Sequence, residues 1–461
     1  MLGCVAVQAT ELLTTPVDDL SCHPLAEVRR RNGWSQESLA KELRRRGFGT
    51  TRKTVKRWEH GVIPEVSAQQ AICEMLGLDP AIPGRVTWPV WLPTGKVAGL
   101  SESWDLRGTV KALSDVSEGA LVDRRAFLGA VGAELLLPVM TWRLNPGPWL
   151  AYREGGRRVS PAMLDDLERL IAVRRKMDDE HGGGALLGML HSDLRFVADL
   201  IRNGSYHAEI GQRLHMVAAE LARLAGWSAF DSGRHAAAQQ YYLSALRAAA
   251  SVGDTALGVN IVGFMGIQAY STGNNRDAAQ LMDVATAEAV KTPAIIQAMA
   301  WARAGRAQAK IGDTNETQRA LNKAEHLFGR AVHGDTPPWA YWVDEARIMA
   351  QRGRALYDLG DYNGAESELM SAITSCGEQY PRDRATWLGR VAISKLRTDR
   401  MDEGCSSGRE AVDLLADQVD SDRGLDFLRT FKRELAPHED SATAREFMEY
   451  ASERLGDAVS A

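Results

Sequence analysis

Hydrophobic residues recur at helical spacing along nearly all of the chain from residue 160 onward, and glycine-bearing polar turns interrupt this pattern at intervals. Apolar positions three and four residues apart lie on one face of an α-helix, so they predict amphipathic helices. No stretch of useful length alternates between polar and apolar residues, as a half-buried strand would. The pattern therefore predicts an all-α fold for this part of the chain.

The interrupting turns share one frame, which indicates a structural repeat. Each turn opens with a glycine that follows another glycine by seven positions, and it carries small residues five and twelve positions later. The turns open at intervals of 40, 39 and 48 residues, at Gly233, Gly273, Gly312 and Gly360. Such a glycine ends one helix, and the small residues let paired helices approach closely. We predict stacked helix pairs, with a weaker fifth unit over 399–411 and a cap over 424–454.

Two shorter amphipathic helices are predicted before residue 62. Ser35 is a candidate N-cap for the first helix, whose apolar residues follow at helical spacing. Thr51 is a candidate cap for the second, in which Val55 and Trp58 lie three residues apart on one side. The opposite side of this second helix carries four cations, Arg52, Lys53, Lys56 and Arg57. A third packing helix is expected from residue 66 to 78, before a Pro-rich connection over 80–93.

Charge is distributed unevenly along the chain. Residues 24–61 contain eleven Lys or Arg against four acidic residues, a net charge of +7, whereas the whole chain has a net charge of −5. The remainder therefore carries −12, which is +7 subtracted from −5. One concentrated basic segment in an acidic protein is typical of local phosphate binding.

Length and composition narrow the class of protein. At 461 residues the chain is expected to form two or three domains. Its five cysteines are scattered without metal-ligand spacing, which favours a reducing cytoplasm and predicts no metal site. Residues 1–20 lack the basic start and apolar core of a signal peptide, so they are predicted to be a flexible N-terminal extension. An internal Arg124-Arg125 pair before an apolar run resembles an export signal only superficially, because it follows a basic module and Glu134 interrupts the run.

Enzyme motifs are absent from the sequence. The run His181-Gly-Gly-Gly184 is similar to an oxyanion loop of some esterases, but no Gly-x-Ser-x-Gly nucleophile elbow accompanies it. We interpret it as a flexible linker between helices. No phosphate-binding loop, dinucleotide fingerprint or paired-His metal motif is present either. The sequence thus predicts no catalytic residue, no cofactor and no membrane association.

The basic segment resembles a known family of DNA-binding proteins. Its order Ser35-Gln-Glu-Ser-Leu-Ala40, followed by Thr51-Arg-Lys-Thr-Val-Lys-Arg-Trp-Glu-His-Gly61, resembles the phage-repressor-like (XRE-type) helix-turn-helix regulators of bacteria. The resemblance implies a double-stranded DNA operator as partner. It assigns to DNA the residues Gln36, Thr51, Arg52, Lys53, Lys56 and Arg57.

The resemblance also implies separate roles for these residues. Arg52, Lys53 and Arg57 would enter the major groove, where Arg or Lys can pair with guanine acceptors. Gln36 would touch the backbone or a base edge, and Lys56 and Thr51 would meet phosphate. Arg29 and Glu59 would form a structural pair between the helices. The connection between the two helices is about five residues longer than the tight turn of the family. Whether residues 44–46 also contact the groove therefore stays open.

The repeats resemble tetratricopeptide repeats, although their spacing exceeds the usual length of about 34 residues. The tandem of this head with a long solenoid also resembles the peptide-pheromone-responsive regulators of Gram-positive bacteria, and the Arg-, Ala- and Gly-rich composition suggests an actinobacterial relative. A concave wall lined by the first helix of each pair would present Arg223, Trp227, Asn260, Tyr270, Arg306, Lys310, Arg347, Arg354 and Tyr357.

This wall is predicted to hold a peptide, a small anionic ligand or a protein partner. Its candidate contacts are Arg306, Lys310, Arg347, Arg354, Tyr270 and Asn260. The alternative that these cations pair with carboxylates of the same domain stays open. So does the role of the apolar helix predicted over 123–142, which would form a subunit interface or pack onto the chain's own repeats.

The predicted organisation has four parts. A flexible extension over 1–20 precedes a DNA-binding domain over 21–84, and a linker with a helical dimerisation or connector segment over 85–160 precedes a repeat sensor domain over 161–461. The expected function is that of a cytoplasmic transcriptional regulator that binds an operator as a homodimer and responds to an effector. The alternative is a protein-interaction scaffold whose DNA-binding head is vestigial.

Overall fold

The computed structural model describes residues 24–31, 34–75, 83, 88, 92, 102–118, 132–144, 152–184 and 186–456. These residues are almost entirely helical, which confirms the predicted all-α fold. Short strands β1 (Arg157–Arg158) and β2 (Gly204–Ser205) pair in parallel. The extension predicted over 1–20, most of the connection over 80–93 and the first half of the helix over 123–142 lie outside the described residues.

The chain divides into two compact units. Within residues 1–95, the described helices are α1 (Pro24–Arg31), α2 (Gln36–Arg45), α3 (Arg52–Trp58) and α4 (Val66–Met75). Both predicted caps are confirmed, because Ser35 Oγ accepts from the Ser38 amide at 2.9 Å and Thr51 forms a capping box with Thr54. The buried side of α3, Val55 and Trp58, belongs to the core of this unit.

In the second unit, four described helices precede the repeats. The described helices from residue 102 onward are α5 (Leu106–Glu118), α6 (Ala133–Leu144), α7 (Pro161–His181), α8 (Leu187–Asn203), α9 (Ala208–Asp231), α10 (His235–Val252), α11 (Thr255–Ser271), α12 (Asn275–Ala289), α13 (Ala294–Lys310), α14 (Thr314–Phe328), α15 (Glu345–Leu359), α16 (Tyr362–Ser375), α17 (Pro381–Leu396), α18 (Met401–Asp417), α19 (Asp422–Leu435) and α20 (Ala442–Leu455). Consecutive helices from α9 to α18 pack as antiparallel pairs in a solenoid-like arrangement.

The four predicted turns join the two helices of each pair. Their opening glycines all adopt positive φ, between 70° and 85°, at Gly233, Gly273, Gly312 and Gly360. Backbone in this region is strained for residues with a side chain, so glycine is needed to end the first helix.

The glycines seven positions earlier mark where the paired helices touch. A Cβ atom added to Gly226, Gly305 or Gly353 would lie 2.6, 2.8 or 2.7 Å from a side chain of the second helix. In every pair the neighbour is the residue nine positions after the turn glycine, namely Tyr242, Met282, Leu321 and Leu369. The frame read from the sequence therefore records a repeated close approach between helices.

The weaker fifth unit is also a helix pair. Asp399 occupies the position of the turn glycine between α17 and α18 and has a φ of 60°. Gly404 lies where the other units carry a small residue, and a Cβ atom there would lie 2.9 Å from the Ala392 carbonyl oxygen. Helices α19 and α20 pack on this pair and end the array, as predicted.

Helices α5 and α6 pack against the repeats of their own unit. Helix α6 lies on α10 and α12, and its Arg143 pairs with Glu288 of α12 at 3.1 Å. Its Trp142 ring lies directly against Gly258 of α11. The described part of this apolar helix thus packs onto the chain's own repeats, which is the second of the two roles that the sequence left open. Its other side exposes Leu137 and Leu144.

The predicted flexible linker after α7 is instead packed. The Asp420 amide donates to the His181 carbonyl at 3.1 Å, and Gly183 lies against the backbone of Ser228. A Cβ atom at Gly184 would collide with the Asp420 carboxylate. The prediction was wrong because these glycines serve close contacts with segments 45 or more positions away in sequence, which no local pattern reveals.

Candidate functional site

The outward face of α3 carries the four cations that the family resemblance predicts to contact DNA. Arg52, Lys53, Lys56 and Arg57 are exposed, and among the described residues no carboxylate forms an ion pair with them. The opposite face is fixed in the core through Trp58 and the fully buried Val55. This arrangement presents four positive charges from a short, firmly anchored helix.

A polar network ties this helix to α1 and α2. Glu59 directly follows α3 and accepts from Arg29 Nε at 2.7 Å and from Gln36 Nε2 at 2.5 Å. Arg29 also donates to the Trp34 carbonyl at 2.7 Å. The side chains of Arg29 and Glu59 are only 13% and 6% exposed, so the network lies largely out of water. The predicted clamp between Arg29 and Glu59 is confirmed, and Gln36 lies within it.

A second basic cluster, Arg44-Arg45-Arg46 at the end of α2, is engaged by neighbouring carboxylates. Arg44 pairs with Glu37 at 2.7 Å and donates to the Thr50 carbonyl, which braces the connection between α2 and α3. Arg46 pairs with Glu74 at 3.0 Å. Helix α2 extends to Arg45, so part of the extra length before α3 is taken up as helix.

The second unit contains a cavity whose lining includes residues of α7, of α17 and of the first helices of the repeats. It offers about 100 Å³ to the centres of water molecules. Eight arginines, three aspartates and an aromatic group are prominent among the described residues that line it: Arg175, Arg223, Arg303, Arg306, Arg347, Arg354, Arg382, Arg423, Asp178, Asp179, Asp383, Trp227, Phe264, Tyr341 and Trp342. The ionised lining groups carry five more positive than negative charges.

Several lining arginines have close carboxylate partners. Arg382 of α17 reaches Asp178 of α7 at 3.0 Å and Asp231 of α9 at 3.8 Å. Arg423 contacts the same Asp231 at 3.1 Å. Since Asp178 and Arg382 are 204 positions apart, these pairs connect the beginning and the end of the array.

Other lining arginines lack such partners. Arg223 and Arg303 are buried, and no carboxylate of the described residues lies within ion-pair distance of either. They rest on the same Phe264 ring, at 5.7 and 4.4 Å from its centre. The nearest carboxylate to Arg354 belongs to Asp383, at 4.0 Å.

Burial leaves these charges electrostatically unfavourable. It lowers the pKa of Arg303 to about 10, and repulsion from Arg223 adds to this effect. Burial likewise lowers the pKa of Arg354 to about 10, with a further contribution from Arg306. Among the described residues, the positive charges of Arg223 and Arg303 are therefore the ones in this cavity that no carboxylate pairs with.

Neither the models of known protein families nor the curated proteins contain a match to this chain.

Within the described ranges, no group of three or more His, Cys, Asp or Glu side chains could hold a metal ion. No helix of these ranges has both the length and the apolar character that a bilayer span requires.

Three of the six predicted groove residues line the cavity, namely Arg306, Arg347 and Arg354. The other three lie behind it and hold the lining arginines in place. Asn260 accepts from Arg303 at 3.0 Å, Tyr270 accepts from Arg306 at 2.9 Å, and Lys310 pairs with Asp358 at 2.7 Å. The structure therefore places these three predicted contacts next to the lining arginines and outside the cavity lining.

Sequence reasoning missed most of the cavity wall. Arg303, one helical turn before Arg306, was not singled out. The lining residues of α7 and α19 come from outside the repeat frame, and those of α17 come from its weaker fifth unit. One available signal was the 48-residue interval before Gly360. Its extra residues form the segment between α14 and α15, which supplies Tyr341 and Trp342 to the wall.

Replacing Glu59 with alanine is expected to destabilise the first unit by about 2 kcal/mol, because Arg29 and Gln36 would lose their shared acceptor away from water. The loss is smaller than for a fully buried pair, because the Arg29 side chain is 13% exposed. Hydrogen exchange of the full chain should accelerate about thirty-fold in α1 to α3 and stay unchanged in the repeats.

Glu37→Ala is the matched control, since Glu37 pairs with Arg44 at the surface. We expect this change to accelerate exchange less than about five-fold. Equal acceleration by the two substitutions would contradict the importance assigned to the buried network.

Proposed function

We propose that this protein is a sequence-specific DNA-binding transcriptional regulator of the phage-repressor-like type, which acts in the cytoplasm as a homodimer. Its repeat unit is proposed to mediate dimerisation and to sense an effector. The observation that carries the proposal is the outward face of α3, where Arg52, Lys53, Lys56 and Arg57 are exposed without ion-pair partners in the described part of the chain.

The contrast with neighbouring cations supports this proposal. Arg44 and Arg46 form ion pairs with carboxylates, as cations on a protein surface often do. The cations of α3 keep their donors available on a helix that is held by Glu59 and a buried Trp58. A rigid helix with free guanidinium groups suits entry into the major groove, where an arginine can donate two hydrogen bonds to guanine.

The six residues assigned to DNA do not have equivalent positions. Arg52, Lys53, Lys56 and Arg57 are available on the surface, and Thr51 is exposed although its hydroxyl caps α3. The Gln36 amide donates to Glu59. We therefore propose that Gln36 orients the interface and that Arg52, Lys53 and Arg57 read base edges, with Lys56 and Thr51 at the phosphate backbone.

Arg52→Ala and Arg57→Ala are each expected to weaken operator binding by about 1 to 3 kcal/mol and to change the preferred bases, since a bidentate contact discriminates between base pairs. Lys56→Ala is expected to weaken all duplexes alike and to reduce the salt dependence of binding. Selection from a randomised duplex library with each full-length variant measures both effects.

Lys41→Ala is a suitable control, because Lys41 is an exposed cation of α2 outside the assigned set. It should leave the selected sequence unchanged. If wild type and all variants select the same sequences with the same affinity, α3 does not read DNA, and the scaffold alternative with a vestigial head gains support.

A further inference from the structure

In the described part of the chain, six of the eight arginines that line the cavity of the second unit pair with carboxylates in or behind its wall, and two do not. Arg223 and Arg303 are 4% and 2% exposed, yet no carboxylate of the described residues pairs with either. A buried charge without a partner is costly, so such groups are normally paired or bind an ion or ligand. Both guanidinium groups lie over the Phe264 ring, and both residues line the cavity.

Hydrogen-bond donors in this cavity are also unused. Arg223 Nε and Arg354 Nε are buried, and neither has a hydrogen-bond partner among the residues that the structure describes. Arg303 uses Nη1 for Asn260, whose main-chain and side-chain oxygens accept at 3.1 and 3.0 Å. The remaining donors of a guanidinium oriented in this way are suited to an oxyanion, because arginine presents five donors in a rigid fork.

The walls are suited to the flat part of a small molecule. Trp227 and Phe264 pack with ring centres 5.0 Å apart, and Trp342 lies 6.4 Å from Phe264. Aromatic walls with a few polar groups are typical of sites for small ligands. The volume of about 100 Å³ open to water centres favours a compact molecule over a folded segment of another protein.

We infer that this cavity binds a compact phosphate-bearing small molecule, with its phosphoryl group held by Arg223, Arg303 and Arg354 and its flat part on Trp227 and Trp342. A phosphoryl group offers three terminal oxygens and up to two negative charges, which match several arginines better than one carboxylate does. Lowered pKa values of Arg303 and Arg354 agree with this, because an anion beside them would favour their charged forms.

The role of this ligand as the effector rests on the proposed function, whereas its binding does not. Isothermal titration of the full chain without DNA therefore tests the site separately. The probes are inorganic phosphate, pyrophosphate, phenyl phosphate and succinate, each in chloride buffer of constant ionic strength.

We expect wild type to bind pyrophosphate or phenyl phosphate saturably, with one site per chain. Arg223→Gln and Arg303→Gln should each raise the dissociation constant about ten-fold or more, because each loses a charge-assisted hydrogen bond. Arg319→Gln, which removes an exposed charge on α14, should change nothing. The double variant Arg52→Ala/Arg57→Ala should also bind normally, because its changes lie on α3.

Three results would overturn the inference: no saturable binding of any phosphate probe, undiminished binding by the two cavity variants, or loss of binding in the α3 variant. Succinate binding as tight as that of pyrophosphate would replace the phosphate class by carboxylates and so overturn it as well. If a cavity variant does not fold, hydrogen exchange of wild type decides. Pyrophosphate should protect α9, α13 and α15, and protection of α3 alone would contradict the assignment.

Failure of this site and failure of the proposed function are distinguishable. If the protein binds no phosphate probe but still selects an operator, the phosphate site is contradicted and the proposed DNA binding is retained. If the protein binds a phosphate probe saturably but selects no DNA sequence, the phosphate site is supported and the proposed function as a regulator is contradicted.

Discussion

Replacing Arg382 with methionine is expected to lower the free energy of unfolding of the repeat unit by about 3 to 5 kcal/mol. Arg382 is 8% exposed and is the described ion-pair partner of Asp178, at 3.0 Å. Removing one member of a buried pair leaves an uncompensated charge, and this pair also joins α17 to α7 at the closure of the cavity. Urea unfolding of the full chain, followed by circular dichroism, measures the loss.

Two controls separate the buried pair from other effects. Arg213→Met removes a pair between α9 and α7 that is partly exposed, with Glu168 at 3.0 Å, so it should cost less than about 1 kcal/mol. Adding Asp178→Asn to Arg382→Met should recover part of the lost stability, because a neutral amide needs no charge partner. Equal losses in the Arg382 and Arg213 variants would contradict the closure described for this unit.

The second large effect concerns the operator. A duplex with two inverted half-sites is expected to bind at least about 1,000-fold more tightly than the same duplex with one half-site scrambled. One recognition helix covers only a few base pairs, and each mismatched pair typically costs about 1 to 3 kcal/mol. A two-fold dimer places its two helices in half-sites about 34 Å apart, or a multiple of this distance.

Gel-shift titration against both duplexes measures this difference, and light scattering of the complex gives its stoichiometry. Two chains per duplex with the inverted repeat are expected. A 1:1 complex that binds both duplexes equally would contradict dimeric recognition, although it would leave single-site reading by α3 open to separate measurement.

The repeat frame could be predicted because it depends on local geometry. Four of the helix pairs have a turn glycine with positive φ and a second glycine that faces the next helix. Gly353 against Leu369 repeats what Gly305 against Leu321 already shows. The same reasoning extended to the fifth pair, where Asp399 replaces glycine.

The cavity could be predicted only in part, because its composition depends on contacts between distant segments. The frame places Arg306 and Tyr270 on the correct helix faces, but it does not show which of them reaches the open space. The closure by Arg382 and Asp178 joins positions that no local pattern relates. The packed glycines after α7 were misinterpreted as a linker for the same reason.

The first unit shows a similar division. The capped helices and the buried side of α3 follow from spacing alone, and the pair between Arg29 and Glu59 followed from the family resemblance. The pairing of Arg46 with Glu74 depends on how α4 packs, so the sequence left the role of the second basic cluster open.

The proposed function includes a second copy of the chain. The exposed apolar side of α6 is one surface at which the two copies could meet, and deletion of α6 would examine it. The proposal for DNA recognition does not depend on that surface. It depends on α3 alone, whose cations remain available in the described structure.

The most direct test of DNA reading by α3 is the specificity ratio of the full chain. Dissociation constants are measured by fluorescence anisotropy at physiological salt, for the selected operator and for a scrambled duplex of the same composition. Wild type should prefer the operator by about 1,000-fold or more, and Arg52→Ala/Arg57→Ala should lose most of this preference while retaining a folded chain. A ratio near one for the wild-type protein would contradict sequence-specific recognition.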